Sequence, residues 1–134
     1  GFKQLGMVIQ VVGVSSSAKA DFLVPRIVQY ANQAAGFLGL STRVNADDFV
    51  LHDQYIGPGY ARAYPSVVEA ILLVAREEGL LLDPVYTGKC MHGLLDQICQ
   101  GVLEKDHTVV FLHSGGAPNL FVQYKLFAES KAAN

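Results

Sequence analysis

Thr108 to Pro118 reads TVVFLHSGGAP. Five residues rich in β-branched and aromatic side chains are followed by a turn of His113, Ser114, Gly115 and Gly116, and then by a proline suited to the first turn of a helix. The run is apolar without alternation, as in a strand covered on both faces. The pattern predicts a buried strand over Thr108–Leu112, a tight turn, and a final helix from Pro118 to about Glu129. The same order appears near the other end. Val8–Val14 (VIQVVGV) predicts a second buried strand, Ser15, Ser16 and Ser17 supply turn and capping residues, and a helix is expected from about Lys19 to Phe37, closed by Gly36 or Gly39.

Between these units, Asp47–His52 suits a short, weaker strand, and Ile56-Gly57-Pro58-Gly59-Tyr60 a sharply bent loop. Ser66–Glu78 reads as a helix with Pro65 near its first turn and Gly79 at its end. Val67, Ala70, Ile71 and Val74 form one face, and Val68, Leu72 and Leu73 imply burial on a second. From Lys89 to Val102, Met91, Leu94, Leu95, Ile98 and Val102 recur at helical spacing, an ordinary core stripe, with Asp96, Gln97 and Gln100 on the polar side. Gly1–Gly6 resembles the last turns of a helix capped by Gly6, so the chain is expected to begin within an element. Alternating strands and helices predict an α/β fold: a partial three-layer, open, mainly parallel sheet with flanking helices, forming one unit over residues 1–134 without an internal boundary. Two strong strands and one weak one make a thin sheet, so further strands are expected from elsewhere.

The bulk properties narrow the function. The 134 residues are 51% hydrophobic, enough for a core, and carry a net charge of −2 with no basic run. A phosphate backbone or an anionic membrane is therefore not an expected partner. The apolar runs are too short to span a bilayer, which predicts a soluble chain. Cys90 and Cys99 fall in one helix on opposite faces, roughly 13 Å apart along the axis, so they cannot bridge each other. A reducing, cytoplasmic setting is expected.

Ligands in open α/β sheets collect at the carboxyl ends of strands. Two places qualify, Ser15-Ser16-Ser17 and Ser114-Gly115-Gly116, where glycines let the backbone approach a ligand and a helix amino terminus follows. Each is also what an ordinary capped turn looks like. A third cluster is Asp83-Pro84-Val85-Tyr86-Thr87-Gly88-Lys89, with Tyr60 upstream. Taken singly, these residues suit a buried tyrosine ring, an amino-terminal cap at Thr87 and a solvated Lys89. Asp47, Asp48, Glu77, Glu78 and Asp83 read as solvated charges. His113 reads as a hydrogen-bonded structural imidazole. His52, His92, His107 and Cys90 lack metal-ligand spacing, and no G-x-G-x-x-G follows the first strand, which disfavours a nucleotide-binding domain.

GPGYA at Gly57–Ala61, LLDPVYTGK at Leu81–Lys89 and VVFLHSGGAPNLF at Val109–Phe121 occur in the order and at about the spacing found in one group of pyridoxal-phosphate enzymes. By these motifs the chain resembles the carboxyl-terminal part of the D-cysteine desulfhydrase and 1-aminocyclopropane-1-carboxylate (ACC) deaminase family, of tryptophan-synthase-β-like fold. The resemblance implies a lyase that eliminates sulfide and ammonia from a small amino acid, with pyridoxal 5′-phosphate as cofactor and a homodimeric assembly. It implies that Tyr86 lies near the reacting carbon and amine, and that Tyr60 helps to place the substrate. Ser114, Thr87 and Gly115 are expected to bind the cofactor, Ser114 at the pyridine nitrogen. The deaminases carry glutamate where Thr87 stands. Thr87 and Ser114 are neutral and cannot stabilise a protonated ring by charge, which favours desulfhydrase over ring-opening chemistry.

The family's cofactor-bearing lysine and phosphate loop match nothing here. Lys3, Lys19, Lys89, Lys105, Lys125 and Lys131 sit in other contexts, and the chain alone is expected to be inactive without the amino-terminal half of the enzyme. Two alternatives are ACC deaminase activity and a non-catalytic binding or assembly module that retains the fold.

Overall fold

The computed structural model describes residues 1–132, and side chains as far as residue 128. The side chains of Glu129, at the expected end of the last helix, and of Lys131 lie outside those described. Strand β1 (Val11–Val14) leads through a serine turn to helix α1 (Ala20–Phe37), which returns to strand β2 (Phe49–His52). The strands pair in parallel, Val11 opposite Phe49 through Val14 opposite His52. A parallel pair requires such a crossover. The helix start is held from a distance: the Asp53 carboxylate, just past β2, accepts the Ala20 N–H at 2.8 Å. The serine turn closes on itself, with the Ser15 hydroxyl donating to the Ala18 carbonyl at 2.6 Å.

Helix α2 (Pro65–Glu78) starts on a proline and stops at Gly79, whose φ of 67° is left-handed. It packs on α3 (Thr87–Cys99). Between them lies the core of Val67, Ala70, Ile71, Val74, Leu82 and Met91, flanked by Tyr64, Leu94, Leu95, Phe111, Leu120 and Phe127. Both helices bury most of the predicted apolar faces, and Val68 is buried on the second side of α2, but Leu73 and Ile98 are exposed, Val102 lies exposed beyond the end of α3, and Gln97, expected on the polar side, is buried. No helix among the described residues is long and apolar enough to cross a membrane.

The α/β class with a small parallel sheet and flanking helices is as the sequence implied, but several elements differ. The strand predicted over Val8–Val14 shrinks to Val11–Val14, because β2 offers only four residues to pair with. Its face is open, with Val11 and Val12 exposed. Thr108–Leu112 forms no strand among the described residues: no partner lies beside it, and only Phe111 turns inward to the core. The last predicted helix divides into α4 (Pro118–Val122) and α5 (Lys125–Ala132). Phe2–Leu5 is a single 3-10 turn that ends at Gly6 in the left-handed conformation.

Candidate active site

The carboxyl end of β1, the amino-terminal turn of α3 and the Leu112–Ser114 segment converge on a cleft of about 210 Å³. Val14, Ser16, Tyr86, Thr87, Cys90, Leu112 and Ser114 line it. Three of the residues singled out from sequence, Tyr86, Thr87 and Ser114, thus share one wall system. Tyr60 joins them through a hydrogen bond between its hydroxyl and that of Tyr86. Both tyrosines are about half exposed, not buried as isolated rings in a loop would be. Hydrogen bonding to Tyr60, then burial, pushes the Tyr86 hydroxyl above its ordinary range, so Tyr86 keeps its proton at neutral pH.

Asp83 organises the segment that carries Tyr86 and Thr87. It is fully buried, not a solvated loop charge. One carboxylate oxygen accepts the N–H groups of Val85 at 2.8 Å and Tyr86 at 3.0 Å. The other accepts the N–H and the hydroxyl of Thr87, both at 2.8 Å. Of these only the Thr87 N–H belongs to the first turn of α3; with the Gly88 N–H given to the Asp83 carbonyl at 2.8 Å, Asp83 closes the turn that leads into the helix, and Thr87 is the first helical residue instead of the expected cap. Burial alone would raise the carboxyl, but this set of donors outweighs it and holds Asp83 below the usual carboxylate value. Gly116 is required beside it: at φ 92°, a Cβ there would stand 2.6 Å from the Asp83 carboxylate carbon.

Lys89 is buried as well, where the sequence suggested a solvated side chain. Its ammonium donates to the carbonyls of Ile56 at 2.7 Å and Gly59 at 2.8 Å, and more weakly to that of Ser16 at 3.4 Å. It ties the loop bearing Tyr60, and the serine turn below the cleft, to α3. Desolvation lowers its proton affinity.

The last predicted residue, Gly115, does not line the cleft. Its N–H is given to His113 Nδ1 at 3.1 Å, while His113 Nε2 meets the Leu81 carbonyl at 3.0 Å, so the imidazole braces this turn as expected. Sequence reasoning missed Cys90 as a lining residue and missed the roles of Asp83 and Lys89. The D-P-x-x-T spacing is a local signal for Asp83. Lys89 has none, because its acceptors come from distant segments.

A planar heteroaromatic cofactor fits this cleft at one edge. Val14 and Leu112 offer apolar surface and Ser114 a polar side chain without a fixed partner among the described residues, while Thr87 at the same wall is fully buried with its hydroxyl held by Asp83. The space is smaller than the roughly 300–1,000 Å³ of complete ligand pockets. Lys89 is held by its three carbonyls, Lys3 and Lys19 pair with Asp48 and Asp53, and among the described residues no lysine lines the cleft.

The family described as "Pyridoxal-phosphate dependent enzyme" matches residues 1–115, and the chain belongs to it. Within that class the chain is 38% identical over 127 residues to a 1-aminocyclopropane-1-carboxylate deaminase of Ralstonia nicotianae, covering 95% of this chain and 38% of the relative. It is 40% identical over 124 residues to a D-cysteine desulfhydrase of Yersinia enterocolitica, covering 92% and 37%. A crystal structure described as an ACC deaminase homologue superposes with a TM-score of 0.83 at 29% identity, over 96% of this chain and 38% of that one. The chain therefore spans less than two fifths of the length of the curated relatives it matches.

Proposed function

We propose that this chain is the carboxyl-terminal part of the cofactor-binding domain of a pyridoxal-phosphate-dependent lyase that eliminates a β-leaving group from a small amino acid, with D-cysteine as the representative substrate. It works with the amino-terminal half of the same enzyme, which brings the covalent lysine and phosphate loop, in a cytoplasmic homodimer. Alone it is inactive. The observation that carries the reading is the placement of the Tyr60–Tyr86 pair at a cleft shared with Ser114 and Thr87.

Bound pyridoxal phosphate supplies the electron sink for loss of the substrate's α-proton. In this reading Ser114 donates to the ring edge and Thr87 lies beside it. Tyr86, whose proton is retained at neutral pH, is positioned to hold or return a proton at the substrate, and Tyr60 orients the Tyr86 hydroxyl. Val14 and Leu112 would offer the ring apolar contact. Gly115 shapes the turn that presents Ser114, its amide being committed to His113.

Residue 87 is threonine, not an acid, so no carboxylate meets the ring directly; this favours expulsion of sulfide over ring opening. Deaminase activity is the second reading, supported by relatives of that name at 38% identity. The test is a side-by-side rate comparison in the complete enzyme. D-cysteine or a β-chloro amino acid should turn over at least tenfold faster than 1-aminocyclopropane-1-carboxylate, and the reverse order assigns the deaminase reading.

A further inference from the structure

Lys89 carries a charge to a place where no carboxylate meets it. It is fully buried, and the ion pairs among the described residues belong to other lysines. Its ammonium is held by the main-chain carbonyls of Ile56 at 2.7 Å, Gly59 at 2.8 Å and, more weakly, Ser16 at 3.4 Å. Three acceptors call for three donors, which only the protonated amine has. Carbonyl oxygens that converge on one point in place of a hydration shell are how proteins hold a bare monovalent cation. The loop that supplies two of these carbonyls departs from ordinary backbone. Gly57, Gly59 and Ala61 have φ of 65°, 138° and 56°, and a Cβ at Gly57 would stand 2.4 Å from the Tyr64 ring. The Ile56 carbonyl has no other donor among the described residues, whereas that of Gly59 also takes the Arg62 N–H at 3.3 Å. Without a cation these dipoles would face one another with nothing between them.

We infer that the carbonyls of Ser16, Ile56 and Gly59 form a monovalent-cation site whose occupant is the Lys89 ammonium, a cation carried on the chain itself. The class of ion it takes is a primary ammonium or one of similar size, such as potassium. The site meets the cleft from two sides. Ser16 lines the cleft, and Gly59 immediately precedes Tyr60, whose hydroxyl meets that of Tyr86. Lys89 itself is not among the lining residues, so it is a positioning residue that acts through the loop bearing Tyr60. Because the cation is tethered, the parent should be indifferent to dissolved cations, and a chain that lacks the tether should come to depend on them. The effect on turnover rests on the reading that Tyr60 and Tyr86 serve a lyase; the cation site stands on the carbonyl geometry alone.

The test compares the complete enzyme with its Lys89→Ala variant in the chlorides of tetramethylammonium, potassium and n-propylammonium at equal ionic strength. Alanine leaves out the outer methylenes and the ammonium of lysine, and n-propylammonium supplies the same atoms from solution. In tetramethylammonium, which has no N–H to donate and is too bulky for the site, the variant should lose turnover by roughly tenfold or more, as for a lost charged hydrogen bond. Its urea midpoint should fall as well. Potassium or n-propylammonium should restore most of the turnover in a saturable way and raise the midpoint in step, while the parent does not respond. Lys89→Met, which keeps most of the volume, should not respond either. A Lys89→Ala variant with the same turnover and midpoint in all three salts overturns the inference. So does a parent that requires potassium, or a Lys89→Met variant that responds as strongly as Lys89→Ala, since the cation then acts elsewhere. Should Lys89→Ala fold in none of the salts, no free cation has taken the site, and the inference falls. If the parent turns over no amino-acid substrate, the lyase reading fails, and the urea midpoints alone decide the cation site.

Discussion

Replacing Lys89 by methionine keeps most of the side-chain volume and removes the ammonium. Two carbonyls, of Ile56 and Gly59, then lose a charged donor at 2.7 and 2.8 Å, and the Ser16 carbonyl loses a weaker one. An acceptor left unsatisfied costs about 1–3 kcal/mol; the Gly59 carbonyl keeps the Arg62 N–H at 3.3 Å, so that cost falls on the Ile56 carbonyl. Against this, the variant no longer buries a charge without a carboxylate partner, a relief of several kcal/mol at most. The expected balance is a loss of about 0–2 kcal/mol, read as a lower urea midpoint at unchanged slope in the complete protein. A local consequence should accompany it. The loop from Ile56 to Tyr60 loses its tether, the Tyr60–Tyr86 contact loosens, and the Tyr86 hydroxyl titrates at lower pH, visible in the tyrosinate absorbance. Parent-like stability together with an unchanged tyrosine titration would refute the clamp.

Changing Tyr86 to phenylalanine in the complete enzyme should reduce turnover by about 10²–10⁴-fold, the range for a lost acid–base group, while the bound-cofactor absorbance persists; unaltered turnover would assign the ring to packing alone. Tyr55 gives a stability signature at high pH: burial, then its 2.7 Å hydrogen bond to Asp96, push its hydroxyl up from 10.0 to about 12. Its proton is held more tightly in the folded state, so the associated stability is complete below pH 10 and is lost as pH rises to about 12. It amounts to roughly 3 kcal/mol at most. Tyr55→Phe should flatten that alkaline decline in urea midpoints, and an equally steep decline in the variant would exclude Tyr55 as its source.

How much of this was legible from residue order depended on where each element's stabilising partners lie. Helices α2 and α3 could be read because their apolar spacing and their stop and start residues, Pro65 and Gly79 among them, are local. Strand identity at Thr108–Leu112 could not, since an apolar run becomes a strand only beside a partner, and none of the described residues provides one. The motifs around Tyr86 and Ser114 led to one cleft, and the family resemblance they carry pointed to Tyr60 as well. Residue type misled at Asp83 and Lys89. A charged side chain ordinarily signals solvent, and what makes burial tolerable here is a set of backbone groups, in the Lys89 case gathered from positions 16, 56 and 59.

The parallel pairing of β1 with β2 also bears on the order in which the chain folds. That ladder closes only after the whole of α1 has been spanned, so it carries the larger loop-closure entropy, whereas the Asp83 turn and the docking of α2 on α3 join near neighbours along the chain. A two-stranded sheet is marginal in water on its own. The α2–α3 unit should therefore nucleate first and exchange its amides slowest, while the strand pair docks late and opens most readily. Because β1 ends at Val14, which lines the cleft with Ser16 just beyond the strand, this wall of the site is the last part to be completed.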